Sequence, residues 1–344
     1  MLHPNYRVEV GSEEFSPGSQ CAVSFAARLG LGPKVDSFNI TFVSSDRPSK
    51  IMRYDDVKVY LGYEDDLVKV FSGYVNTVDR DFSRVRVGCL SWAANFLWLR
   101  VNRVYVNQTS GQMVSDLISA LRERLDGTRL VSVGEGEIMD GRTFPVYVID
   151  DRCNVYEHIG KLAERSNFVF YTSSDNTLYF KKYERRDEHV LKYGSDIIRI
   201  DMLKNVGPFG TVSVYGESPS GWAGRETYHW LTKKEVVGVS SKQFLEGQKD
   251  VSGAHTFAVQ DYAVKDSDTV AAVSESVSSR VNRRLEVTLK IVGDPRIEVN
   301  DSLKVEGLDG FGFNPNLRVT DVEHYLDKVD GFTSIVTCLE EDLM

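Results

Sequence analysis

DTVAAVSESVSSRVNRRLE (268–286), VTLKIVGDPRIEVNDSLKVEG (287–307) and LRVTDVEHYLDKVDGFTSIVTCLEED (317–342) follow one another near the C-terminus. In the first segment Val270, Val273, Val277, Val281 and Leu285 recur at spacings of three and four, which predicts a helix with a narrow apolar stripe. Beyond Glu286 the runs VTLKIV, SLKVEG, LRVTDVEHYL and TSIVTCLEE alternate apolar and polar residues. A period of two gives each strand one face for a core and one for solvent or a neighbour. Gly293-Asp294-Pro295, Asn300-Asp301 and Asp330-Gly331 supply the turns. The pattern predicts strands that pair and close a barrel, and nothing in it is arranged for chemistry.

Residues 1–104 repeat the pattern. Ala22–Leu29 is a short apolar run, and Ser37–Val43, Asp56–Leu61, Val68–Val75 and Arg84–Cys89 read as strands. GYEDD (62–66) and DRDFS (79–83) are turn-like, so antiparallel hairpins in a small barrel or sandwich are expected. The polar segment Ser44–Asp55, which contains Pro48, reads as an excursion between strands.

Residues 105–189 differ. Thr109-Ser110-Gly111-Gln112 has the form of a capping box, followed by Met113, Val114, Leu117, Ile118, Leu121 and Leu125 at helical spacing. A strand over Pro145–Asp150 leads to a second helix capped by Asn154, with Val155, Ile159, Leu162 and Ala163 as its stripe. FVFYTSSDNTLYFKKYE then predicts a hairpin around Ser173–Asn176. From 190 to 344 the chain is β again, with a loop-rich excursion at about 218–260. The expected fold is therefore mainly β with an α+β middle: two β-barrel domains (1–104 and 190–344) flanking a smaller α+β domain (105–189).

Bulk properties narrow the function. The chain has 344 residues, 42% of them hydrophobic, enough for two or three domains at roughly 100–200 residues each. A net charge of −9 argues against nucleic acid, which needs clustered Lys and Arg. No stretch reaches the ~18 apolar residues of a membrane span, and no secretory leader is read at the start. Cys21, Cys89, Cys153 and Cys338 form no CxxC pair, and the six histidines form no metal-binding spacing. His158 and His324 read as structural side chains. Paired acids such as Asp150-Asp151 read as turn or surface groups, GFGFNP (310–315) lacks nucleotide-loop spacing, and no nucleophile elbow is present. No catalytic residue, metal or cofactor is expected.

The closing segment resembles the C-terminal part of hub proteins from contractile phage tails and related injection machines, the late control D family and the VgrG-like spikes. The matching residues are the helix ending Arg283-Arg284-Leu285, then Gly293–Ile297, Val299–Val305, and the strand pair Leu317–Leu326 and Phe332–Leu339. Where the family often has Pro-Gly-Asp, this chain has Val299-Asn300-Asp301, which keeps the turn. YVNQTSGQMVSDLI and NVYEHIGKLAERSNFVFYTSSDNTLYF resemble the family's middle helix opening and helix-plus-hairpin.

The resemblance implies tube-like barrels and a homotrimer whose six barrels make a pseudo-hexameric ring. That ring would join the sixfold tail tube protein to a threefold central spike protein, with tape measure and wedge proteins as further neighbours. It would sit in the virion tail or injection particle after cytoplasmic assembly. Tube-like subunits clasp neighbours with a loop such as Ser44–Asp55, so Arg47, Lys50 and Arg53 are the candidate inter-subunit residues, against the plainer reading of a solvated loop. The competing functions are a β-rich receptor-binding or adhesin module, which would show ligand affinity, and a tail-associated cell-wall hydrolase, which would need a cleft with positioned carboxylates or a metal.

Overall fold

The computed structural model describes residues 3–19, 21–185, 188–204, 211–217, 231–237, 256–261, 263–264, 267–281, 285–307 and 316–340. The N-terminal part holds strands β1 (Pro4–Val10), β2 (Glu13–Phe15), β3 (Ala22–Gly30) and β4 (Ser37–Val43), the one-turn helix α1 (Asp46–Ser49), and β5 (Asp56–Tyr63), β6 (Asp66–Arg80) and β7 (Arg84–Ser91). The middle holds β8 (Arg103–Thr109), α2 (Ser110–Leu125), β9 (Gly134–Ile138), β10 (Thr143–Ile149), α3 (Val155–Ser166), β11 (Val169–Thr172) and β12 (Thr177–Lys181). The rest holds β13 (Glu188–Lys192), β14 (Ile197–Lys204), β15 (Thr211–Glu217), β16 (Leu231–Val237), β17 (Thr256–Gln260), α4 (Ser267–Val281), β18 (Leu285–Val292), β19 (Ser302–Glu306), β20 (Asn316–Asp327) and β21 (Gly331–Glu340). The protein is mainly β, with predominantly antiparallel pairing.

One thirteen-stranded sheet runs through both ends of the chain in the order β14-β18-β21-β20-β3-β4-β7-β6-β5-β1-β2, with β19 joining β20 and β13 joining β19. The path has two ends, and no ring of strands closes among the described residues. The expected fold has two tube-like β-barrel domains, and among the described residues the strands form an open sheet. Instead β3 and β20 pair directly, from Asp321↔Gly30 to Leu326↔Phe25, and carry the sheet from one part into the other. Two long strands permit this. β20 pairs with β19 at Ser302↔Arg318 and with β3 further on, while β6 leaves β5 for β7 near Gly73. Both contain an irregularity, at Val319/Asp321 and Val75/Thr77, where extra twist lets one strand serve two partners. At Gly73 a side chain would collide with the Leu90 carbonyl of β7, so only glycine allows the strands this close.

Alternation then builds two separate β cores. Val8, Val10, Phe15, Phe38, Ile40, Phe42, Val57, Val59 and Phe71 form the first, and Phe332 of β21 completes it. Leu285, Val287, Leu289, Ile291, Leu303, Leu317, Val319, Val336 and Cys338 form the second. Cys89 and Cys338 are both buried thiols within these cores. Across the junction Arg28 donates to Glu323 at 3.1 Å and the Tyr63 hydroxyl donates to the Gly293 carbonyl at 2.9 Å.

The middle follows the sequence closely. Thr109 caps α2 by accepting from the Gln112 amide, and the Gln112 side chain accepts from the Thr109 amide, completing the box. Asn154 caps α3, and Asn167 ends it in the left-handed region. Both apolar stripes enter one core with Phe144, Tyr147, Phe170 and Phe180. β11 and β12 form the expected aromatic hairpin, stacking Tyr171 on Tyr179 at 5.1 Å. The ribbon β8–β10 and the strand β9 beside β12 complete this region.

Two sequence expectations need correction. The closing helix ends by Val281 and Leu285 begins β18, so Leu285 belongs to a strand and not to the helical stripe. Val270, Val273 and Val277 pack on Val212, Val214 and Val264, so α4 covers the small sheet β16-β15-β17 and forms a fourth core. Of the loop-rich region at 218–260, residues 231–237 and 256–260 are strands, and the remainder lies outside the described residues, as does GFGFNP.

Candidate functional site

The excursion 44–55 is pinned along its length. Ser44 N–H donates to the Ser83 carbonyl at 2.9 Å, Tyr54 N–H donates to the Val75 carbonyl at 2.8 Å, and Val75 returns a bond to the Asp55 carbonyl. Arg80 reaches from β6 to the carbonyls of Ser49 (3.2 Å) and Ile51 (2.6 Å), which are otherwise unused at the end of α1. Pro48 and Ile51 turn inward, and Ile51 joins the first β core. The loop is therefore part of the folded surface, with Met52 and Tyr54 left outside.

The three basic residues do not act together. Arg47 Nε donates to Glu13 Oε2 at 2.8 Å and Lys50 Nζ donates to Glu13 Oε1 at 3.4 Å. The Arg47 hydrogen bond, with Lys50 adding to it, holds the Glu13 carboxyl below its ordinary range. Arg47 also donates to the Glu14 carbonyl of β2, covering part of an edge strand with a charged side chain. Arg53 stands apart, with its guanidinium 4.7 Å from the centre of the Tyr54 ring. Arg47 and Lys50 thus bind their own chain. Arg53 has no acidic partner among the described residues.

Exposed apolar side chains also stand beside the loop. Phe82, at the β6–β7 turn, is wholly exposed, and Val43 stands beside the same turn. The turn itself is rigid, because Asp81 Oδ1 accepts from the amides of Ser83 and Arg84 at 2.8 Å each. These hydrogen bonds, with the Ser83 hydroxyl, keep the Asp81 carboxyl below its ordinary range. Sequence reading treated 79–83 only as a connection. A phenylalanine inside DRDFS, in a turn that needs no aromatic, was the available signal.

The other notable titratable pair lies at the junction of the two β parts. Asp36 and His324 both line a cavity of about 20 Å3, together with Ser72, Ser91, Lys69 and Glu298. That space suits about one water molecule and is too small for a substrate. Burial pushes the Asp36 carboxyl up to about 7; the Gly30 amide opposes this and Asp321 adds to it. Burial pushes His324 down to about 4, and its Nδ1 lies 2.8 Å from Ser334 Oγ. His158 is buried in α3 with Nε2 3.0 Å from the Asp150 carbonyl, where burial lowers its pKa. Among the described residues no group of three or more His, Cys, Asp or Glu could hold a metal ion, and no helix is long and apolar enough to cross a membrane.

Comparison by structure places the whole chain beside known tail proteins. The 43 kDa tail protein of prophage MuSo2 from Shewanella oneidensis superposes with a TM-score of 0.70, covering 98% of this chain and 100% of that one at 12% identity. The chain has the fold of a phage tail protein. A tail protein from Neisseria meningitidis matches similarly, with a TM-score of 0.69, 13% identity and coverage of 98% and 97%. An E. coli type VI secretion component, described as structurally similar to the T4 tail proteins gp27 and gp5, gives 0.62 at 13% identity, covering 98% of this chain and 77% of that chain. No family model matches the chain, and no curated protein matches it by sequence. The likeness thus lies in the tail-protein fold.

Proposed function

We propose that the chain is a structural subunit of a tail tip, a homotrimeric hub joining a sixfold tail tube to a threefold central spike. The observation that carries this is the whole-chain likeness to the Shewanella tail protein, which leaves essentially no part of either chain unmatched. The architecture supports it. One subunit hangs two β cores on a single sheet, so three subunits offer six β lobes. In this reading residues 1–104 and 190–344 act as the two tube-like parts, and 105–189 braces them from one side. The tube and spike proteins are the principal partners, with tape measure and wedge proteins nearby, and the working location is the virion tail or injection particle. The role is mechanical rather than catalytic.

The test is the mass of the purified chain in solution. A stable species of three times the 38.8 kDa chain mass is expected. A monomer at micromolar concentration refutes the trimer. Binding to a tube protein and a spike protein from the same particle, measured separately, tests the adaptor role.

A further inference from the structure

Two parts of the main sheet carry exposed apolar side chains. At one end β14 pairs only with β18 among the described residues, and Ile198, Met202 and Leu203 stand exposed on it. In the N-terminal β part, the corner made by the 44–55 loop and the β6–β7 turn exposes Val43, Met52, Tyr54 and Phe82. Apolar groups of this kind on one held surface mark contact sites. Because the loop is already tied by the Ser44–Ser83 backbone bond and by the Arg80 side chain to the carbonyls of Ser49 and Ile51, docking it costs little further ordering.

We propose that these two surfaces dock on each other between copies of this chain, the β14 end of one copy against the Phe82 corner of the next. Charge favours this pairing. Arg84, cross-strand neighbour of Val43, and Arg53, stacked on Tyr54, have no acidic partner among the described residues. At the β14 end Glu286 lies directly across from Leu203 and has no ion pair among the described residues. Corner against β14 brings Arg84 and Arg53 to the Glu286 carboxylate. The contact is therefore heterologous, and a heterologous contact closes into a ring when its rotation allows. It also covers the edge of β14 that has no strand partner among the described residues. Arg47 and Lys50 take no part, since Glu13 of their own chain holds them.

This inference rests on the trimeric reading and names the surfaces that build it. The experiment uses the full chain and follows trimer dissociation on dilution by native mass spectrometry. Phe82→Asp and Leu203→Asp sit on exposed side chains, so circular dichroism stays unchanged. Each is expected to raise the dissociation concentration by at least about tenfold, as loss of an apolar anchor does. Arg84→Glu and Glu286→Arg each weaken the trimer, and the double variant recovers it. If the wild type is a trimer and Phe82→Asp and Leu203→Asp assemble as tightly, the proposed contact is wrong while the trimer stands. If the wild type is a monomer, both fail.

Discussion

Asp36 and His324 line one cavity but respond to pH in opposite directions, and single substitutions separate them. Asp36 rises from 3.8 to about 7 on folding. Between those values the folded state binds the extra proton, so this group's stabilisation is complete below pH 3.8 and is lost as pH rises towards 7. His324 falls from 6.5 to about 4. Here the unfolded state binds the proton, so stabilisation is complete above pH 6.5 and is lost as pH falls towards 4. Each slope is about 1.4 kcal/mol per pH unit, so from pH 4 to 6.5 the two contributions, about 3 kcal/mol each, cancel. Asp36→Asn removes one slope. Relative to wild type, its stability should climb by about 3 kcal/mol from pH 4 to 6.5. His324→Leu should fall by a similar amount over the same range. Urea unfolding at pH 4, 5, 6 and 6.5, at one protein concentration, gives both difference profiles. Flat profiles, or two of the same sign, would refute the reasoning that burial governs both groups.

Three further outcomes test the packing. Arg165 makes a largely buried bidentate pair with Asp261 at 2.6 and 2.8 Å and also donates to the Tyr147 hydroxyl. Arg165→Leu strands the Asp261 carboxylate and should cost about 3 kcal/mol, with faster amide exchange in α4 than in β18; equal exchange would show that the pair does not hold α4 in place. Thr109→Ala breaks the capping box and should cost about 1 kcal/mol, read by thermal melting, and an unchanged melting temperature would remove that cap from the account. Gly73→Ala forces β6 away from β7 and should cost more than about 2 kcal/mol in urea unfolding, whereas a neutral result would mean that the strands part easily there.

Local structure was largely legible in the residues because local signals govern it. The Thr109–Gln112 box, the Asn154 cap and the alternation in β4, β7, β18 and β21 each recur in the structure where the pattern put them. Alternation records which face is buried but not which strand lies alongside. The pairing of His324 with Ala27 therefore left no trace in either segment, and the two β regions read as separate bodies. β1 and β2 leave a weaker signal, since only RVEV in β1 alternates and β2 is three residues long. Leu285 kept the helical spacing by coincidence, and its neighbours Val287 and Leu289 show that the period had already changed to two. Arg47, Lys50 and Arg53 follow from the loop that the resemblance implies and from their charge. Sequence could not reveal that Glu13, thirty-four residues from Arg47, already occupies that side chain.

The β3–β20 pairing also sets the order in which the chain can fold during synthesis. β3 emerges early, but the strand that covers its edge arrives only with residues 316–327, and Phe332 follows before the first β core is complete. At about 5–20 residues per second the ribosome leaves that edge waiting for roughly 15–60 s. During that interval β3 is open to pairing with the same strand of another nascent chain. A cell producing this protein would therefore gain from slow initiation or a bound chaperone, and truncation anywhere before β20 should send the product into aggregates.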